Sequence, residues 1–239
     1  IEMEAFEVDP EETKPQWEEA IRMIPRMWTE DPFSHQGKYY NVPPRSVIPK
    51  PVQTPHPPLW VACSQPSSFK AAGEMGLGVL CFGLGGYEVL KERVAAYRQG
   101  LKNANPVGSF VNNQIAALCI THCGETDEEA QRIAGPQGAW FATTAAEGVY
   151  KPWTGKHVPE SYKFSVQATQ ERVQTTVQDH LKSGAFAMGT PDTVIKVLKG
   201  YQEVGVDQVL CFMQMGNLPH QKIMDSIKLF GRYVIPYFQ

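Results

Sequence analysis

No apolar run in the 239-residue chain is long enough to span a bilayer, and the N-terminus lacks the basic, then apolar, pattern of a signal peptide. Charge of one sign is also missing. Twenty-two basic against twenty-five acidic residues leave a net charge of −3, which gives no electrostatic footprint for nucleic acid. The five cysteines have no repeating spacing, so a disulfide framework is excluded and a reducing cytoplasm is the expected setting. Hydrolase signatures are absent too: there is no Gly-x-Ser-x-Gly elbow, no His-Glu-x-x-His and no Ser-His-Asp order among the six scattered histidines. At 42% hydrophobic and 20% charged, the composition rules out a disordered or fibrous chain and fits a folded core.

What is present is an alternation of helices and apolar runs. Asp9-Pro10-Glu11-Glu12 is a helix start with Asp as N-cap and Pro at the first helical position. Trp17, Ala20, Ile21, Ile24 and Met27 or Trp28 then recur at helical spacing up to Asp31-Pro32. Phe33 to Tyr40 reads as a short hairpin or excursion with Gly37 at the turn. Seven prolines between 43 and 58 then forbid a helix and imply a long, ordered, extended connection within one domain.

Pro58–Cys63 is a continuous apolar run, as in a strand buried on both faces, and Gly78–Phe82, Gln114–Thr121 and Gln208–Met213 read as three further buried strands. Helices follow each. One carries Phe69, Ala72 and Met75; another carries Leu90, Val94, Tyr97 and Leu101; a third starts at the capping box Thr126-Asp127-Glu128-Glu129. Thr190-Pro191 starts a helix that Gly205 ends, and Pro219 starts the last, with Ile223, Ile227, Phe230 and Val234 inward. Residues 135–185 mix Gly, Pro and aromatics with a polar helical stretch near 168–181, and read as an insertion or mobile excursion. Four strand–helix units predict a parallel α/β sheet, either about half of a (β/α)₈ barrel or an open doubly wound sheet.

Few residues could carry chemistry. Cys63-Ser64-Gln65-Pro66-Ser67-Ser68 joins the C-terminal end of a buried strand to a helix N-terminus, where amides and the helix dipole favour an anion. Three hydroxyls stand ready as further donors. Plain helix capping explains the same serines, and both readings stand at this point. Gly83-Leu84-Gly85-Gly86 lacks the full dinucleotide-binding order and reads as a turn permitting close approach. Cys119, His122 and Cys123 have no second pair to complete a zinc site. Phe82, Met213 and Gln214, at strand ends, are candidates for a substrate pocket.

A family resemblance then sharpens the reading. Pro49-Lys50-Pro51-Val52-Gln53-Thr54-Pro55-His56-Pro57-Pro58-Leu59-Trp60-Val61-Ala62, the serine turn, and Ala71-Ala72-Gly73-Glu74-Met75-Gly76-Leu77-Gly78 together resemble the bacterial luciferase-like flavin monooxygenases. The upstream Trp28, Phe33 and Gly37-Lys38-Tyr39-Tyr40 fit the same pattern. So do Gly189-Thr190-Pro191-Asp192 and Gly205-Val206-Asp207-Gln208-Val209-Leu210 near the end. The likeness covers nearly everything outside 135–185.

The resemblance implies a luciferase-like (β/α)₈ TIM barrel, present here as roughly its C-terminal half plus an insertion. Residues 1–239 would form one barrel domain truncated at its N-terminus, a view suggested also by the abrupt start Ile1-Glu2-Met3, with 135–185 as a lid. It implies reduced FMN as cofactor: Ser64 and Ser67 would take its phosphate, Cys63 would contribute backbone where luciferase has an acidic residue, and Gln65 and Ser68 would lie alongside. The activity implied is a monooxygenase acting on a small organic substrate and O₂, with reduced flavin delivered by a reductase, in a homo- or heterodimer. Three rivals remain: an F420-dependent hydride-transferring oxidoreductase of the same fold, a non-catalytic flavin-binding subunit, and a stand-alone half-barrel binding module. The residues that flank the flavin ring in the family lie upstream of the match, so no catalytic residue is named.

Overall fold

The structure, a computed structural model, describes residues 2–239. After a short turn of helix α1 (Glu2–Ala5), α2 (Pro10–Thr29) starts on the Asp9 cap, whose carboxylate accepts from the Glu11 amide, and buries Ile21 and Met23. The hairpin is real: β1 (Phe33–Gln36) pairs antiparallel with β2 (Asn41–Arg45). Its turn is held by one carboxylate, Glu19, which accepts from the amides of Lys38, Tyr39 and Tyr40 and lies 2.9 Å from His35 Nε2.

The proline-rich connection is pinned rather than free. Lys50 Nζ donates to the carbonyls of Met27 and Glu30 at the end of α2, where the helix dipole favours a cation. Buried His56 accepts from the Ser109 amide at 2.8 Å and stacks on Phe110.

Beyond it runs the main sheet, strands β3 (Trp60–Ala62), β4 (Gly78–Phe82), β5 (Ile115–Cys123), β6 (Phe186–Gly189) and β7 (Gln208–Phe212). Every pairing in it is parallel: β3 with β4, β4 with β5, and β5 with both β6 and β7. Ile120 is in register with Phe186 on one side and Phe212 on the other. So β6 continues, further along, the edge of β5 that β4 occupies. Among the described residues no pairing joins β3 to β7, and the sheet is open.

Helices α3 (Pro66–Glu74), α4 (Gly86–Leu101) and α8 (Pro191–Glu203) cover one face, over Val79, Cys81, Ile115, Ala117 and Cys119. The opposite face corrects the expectation of strands buried on both sides. Leu80, Phe82 and Leu210 are 37%, 50% and 48% exposed, and β3 is a half-buried edge. β5 and β6 are the strands buried almost throughout, β5 having β4 and β6 along one edge and β7 along the other.

The segment 135–185 is also more regular than its composition suggests. α5 runs unbroken from Asp127 to Tyr150 with Pro136 inside it, followed by α6 (Glu160–Arg172) and α7 (Val177–Ser183). Gly135 and Gly138 let α5 lie close to Val177 and to the Phe186 and Met188 side chains, so these glycines serve packing. The expected capping box at α5 is half formed: Thr126 Oγ1 accepts from the Glu129 amide, but the Glu129 carboxylate pairs with Lys222 of α9 (His220–Leu229). In α9 the inward positions are Ile223 and Ser226, with Ser226 Oγ accepting the Cys123 amide; Ile227 is 44% exposed.

Two contacts fix the relation of the layers. α3 meets α4 backbone to backbone: a Cβ on Gly100 would collide with the Lys70 carbonyl, and one on Gly73 with the Tyr97 carbonyl. Asp127 bridges helix starts, accepting from the Thr190 amide at 2.7 Å and the Thr193 hydroxyl at 2.9 Å.

Gly100→Ala gains about 1 kcal/mol of helix propensity but overpacks against backbone at a cost of about 1–3 kcal/mol. The second effect wins where no flexible side chain can yield, so a denaturant melt of Gly100→Ala is expected to show net destabilisation. The Asp127 carboxyl titrates below the usual carboxylate range, first because of the Thr190 amide. A depressed native pKa contributes stability that is fully present above the unfolded value of about 4 and is lost as pH falls through the native one. Asp127→Asn is therefore expected to flatten that part of the acid limb in pH-dependent melts while lowering stability at pH 7.

Candidate functional site

The serine turn lies where β3 ends and α3 begins, and its donors divide into two sets. Gln65 is the N-cap residue, in extended conformation. Ser68 Oγ accepts from the Gln65 amide at 3.3 Å and donates to the Gln65 carbonyl at 2.8 Å. The Ser68 and Phe69 amides also go to that carbonyl. Pro66 has no N–H to satisfy. Capping is thus completed by Gln65 and Ser68. Ser64 and Ser67 stand exposed beside it, with the Ser67 amide in the first turn of the helix.

Cys63 belongs to the sheet. Its amide donates to the Leu80 carbonyl at 2.9 Å, and burial pushes its thiol up to about 11. It therefore has no backbone N–H to spare, which narrows what it can offer an anion.

Ser64 is met from across the molecule by α6: its Oγ lies 3.2 Å from Ser165 Oγ. Between them lies a cavity of about 340 Å³. Cys63, Ser64 and Phe82 line one side; Ala142, Ala146 and Val149 of α5 and Phe164 of α6 line the other. Tyr162 and Thr169 add polar edges to an otherwise apolar wall. Gln65, Ser67 and Ser68 are outside this lining. So are Met213 and Gln214, which leave β7 at the same end of the sheet but do not join Phe82 around the cavity. Gly83 and Gly86 serve close approach by protein: Tyr201 lies against the one and Ser183 against the other.

Arg93, on α4, lines the same cavity and was not picked out in the sequence. It is 4% exposed, with Nη1 3.2 Å from the Phe82 carbonyl and Cζ 5.9 Å above the Phe69 ring. A signal existed: Arg93 falls three residues after Leu90 and four before Tyr97, on the face that helical spacing marks as buried.

A second cavity, about 420 Å³, lies at the end of β5 between α5 and α9, and holds His122 with Glu129, Lys222 and Arg232. Burial lowers the His122 pKa and keeps the ring neutral at pH 7. Among the described residues no group of three His, Cys, Asp or Glu is placed to hold a metal, and no helix is long and apolar enough to cross a membrane.

With this geometry in place, comparison with known proteins defines the class. The luciferase-like monooxygenase family matches residues 1–208, and the chain belongs to that family. The FMNH(2)-dependent dimethylsulfone monooxygenase of Pseudomonas putida is 27% identical over 227 residues, covering 92% of this chain and 56% of that protein. An F420-dependent glucose-6-phosphate dehydrogenase of Kineococcus radiotolerans is 34% identical over 85 residues, 35% of this chain and 25% of that protein. Among solved structures, monooxygenase RslO1 from Streptomyces bottropensis superposes with a TM-score of 0.76 at 20% identity, over 100% of this chain and 65% of that one. The family is one of enzymes whose named members include FMN-dependent monooxygenases and F420-dependent oxidoreductases, on the TIM-barrel fold. The chain spans between 53% and 66% of the length of the curated relatives that it matches along most of its own.

Proposed function

We propose that the protein is a reduced-FMN-dependent monooxygenase acting on a small organic substrate, with the flavin phosphate seated on the serine turn. The observation that carries this reading is the division of labour at α3. Gln65 and Ser68 complete the cap, leaving the Ser64 and Ser67 hydroxyls and the Ser67 amide at the mouth of the sheet, where a helix N-terminus favours an anion. The donor set suits a phosphate: hydroxyls, an amide, and no carboxylate within residues 63–68. Bound reduced flavin supplies the electrons that activate O₂, one oxygen atom entering the substrate and the other leaving as water. The chain's own part is to hold the phosphate, to wall off water with the apolar lining of Phe82, Ala142, Ala146 and Phe164, and to admit substrate beside them. A separate flavin reductase would deliver the reduced cofactor.

The 34% identity to an F420-dependent enzyme favours a second reading, hydride transfer with F420 on the same turn. Anaerobic spectral titration with each reduced cofactor separates the two.

We also infer that the 135–185 segment acts as a lid over the cavity through its residues 151–176, centred on α6, with the Ser64–Ser165 contact as its latch. Limited proteolysis is expected to cut this stretch in the free protein and to slow when FMN is added. A stretch that stays uncut in both states speaks against a lid.

Ser64→Ala combined with Ser67→Ala is expected to weaken FMN binding by about 2–4 kcal/mol, less than twice the roughly 1.5–3 kcal/mol of a single bond to a charged group because both hydroxyls are exposed. Its melting temperature should barely move, because the cap bonds belong to Gln65 and Ser68. Unchanged affinity would return these serines to a purely structural role.

A further inference from the structure

We propose that a second apolar cavity, beyond Tyr162, takes the hydrocarbon tail of an elongated, uncharged substrate, and that Tyr162 and Val149 set the length of tail admitted. The inference rests on the flavin reading above for the reaction and adds to it the class of substrate. Two cavities share a wall. Val149 and Tyr162 line both the cavity beside Ser64, of about 340 Å³, and a further one of about 440 Å³. The second is completed by Met3, Pro10, Pro152 and Trp153. Its charged side chains belong to the rim: Glu2, Glu4 and Glu7 are exposed, and Glu4 pairs at 2.8 Å with Lys156, exposed as well. Tyr162 is held in place by two contacts, its ring stacked on Trp153 at 6.0 Å and its hydroxyl 2.9 Å from Thr13 Oγ1 on α2.

The hydroxyl protons along this path are already spent. Thr13 Oγ1 donates to the Pro10 carbonyl at 2.8 Å, so in the Tyr162–Thr13 pair the phenol is the donor and has no proton left for a ligand. Thr169 Oγ1 donates within its own helix, lying 2.8 Å from the Ser165 carbonyl and 2.9 Å from that of Val166. Ser165 faces Ser64. Among the described residues no carboxylate lines the cavity beside Ser64, and its arginine, Arg93, donates to the Phe82 carbonyl. What the walls offer a ligand is therefore methyl groups and aromatic faces. A polyol threaded past Tyr162 would lose hydration without replacement bonds, a cost for each polar group buried. A hydrocarbon chain gains with every CH₂ that leaves water. Because Val149 and Tyr162 stand between the two cavities, a tail that outgrows the first must pass them to enter the second.

The test measures binding by calorimetry for straight-chain primary alcohols from butanol to dodecanol, with a methyl glucoside as polar control and FMN titrated in parallel against wild type. Wild-type affinity is expected to rise about three- to fourfold for each added CH₂ and then to level off, and the glucoside should not bind. Tyr162→Ala should move the levelling point to longer chains. Val149→Phe should move it to shorter ones, and remains informative if Tyr162→Ala does not fold. Met3→Trp, which narrows only the second cavity, should weaken the longest alcohols at least tenfold and leave butanol unchanged. Variants that alter every chain length equally, or a wild-type affinity that ignores length, would overturn the assignment; FMN binding in the same wild-type protein would then leave the flavin reading standing. The expected length pattern without FMN binding would remove the flavin reading and keep the cavity as a site for apolar chains.

Discussion

The contact between Gly73 and Gly100 is the constraint on which the site depends. Two helices can touch backbone to backbone only where both lack a Cβ, and α3 and α4 do so at these two positions. The consequence runs in both directions along the pair. Towards their C-terminal ends the close approach buries Tyr97, whose hydroxyl lies 2.9 Å from the carbonyls of Leu77 and Asn112 and ties α4 to the loops that lead into β4 and β5. Towards the other end it places Arg93 over Phe69, beneath the turn that starts α3. A methyl group at either glycine would move a helix carrying cap, serines and cavity wall together. Packing and function are therefore coupled through geometry.

The sheet explains why the cavity has the character it does. A parallel sheet is ordinarily covered on both faces, and here one face is covered by helices while the other shows Leu80, Phe82 and Leu210. In a barrel that second face is the inner one, filled by layers of side chains with ligands at the C-terminal mouth. Phe82 sits at that boundary. It closes the last layer of β4 and at the same time lines the cavity beside Ser64. Its exposure is thus a consequence of position at the mouth, as well as of the open sheet.

Much of the fold was legible because its signals are local. Asp9 and Thr190 cap the helices that their sequence context marks, and apolar runs at 78–82, 115–121 and 208–212 are strands because parallel strands need β-branched and apolar residues wherever helices cover them. What escaped has a common cause, namely partners distant in sequence. Four residues, Phe186–Gly189, form β6 only because β5 is long enough to offer an edge beyond β4. Gly135, Pro136 and Gly138 look like breakers, yet α5 continues through them because Gly135 makes room for Val177 of α7 and Gly138 for Phe186 and Met188 of β6, partners more than 40 residues away. Ile227, placed inward by spacing, is displaced by Ser226, whose hydroxyl is needed by the Cys123 amide. In the candidate site the turn was legible as a motif, whereas Arg93, Ser165 and the alanines of α5 reach it only through tertiary packing.

The turn shows why capping and ligand binding need not compete. A helix N-terminus offers four amides without intrahelical partners. Of the first four positions Pro66 has no N–H and the Gln65 carbonyl takes the amides of Ser68 and Phe69, while the Ser68 hydroxyl takes the amide of the cap residue Gln65. Ser64 and Ser67 are exposed beside this cap, so the same five residues can finish a helix and, on the proposed reading, seat an anion. On that reading the turn would recognise a phosphate and little else. Discrimination between a flavin and a deazaflavin, and between one substrate and another, would then fall to the walls beyond the turn: Phe82 on the strand side, the alanines of α5, and Tyr162 and Phe164 of the facing α6 segment.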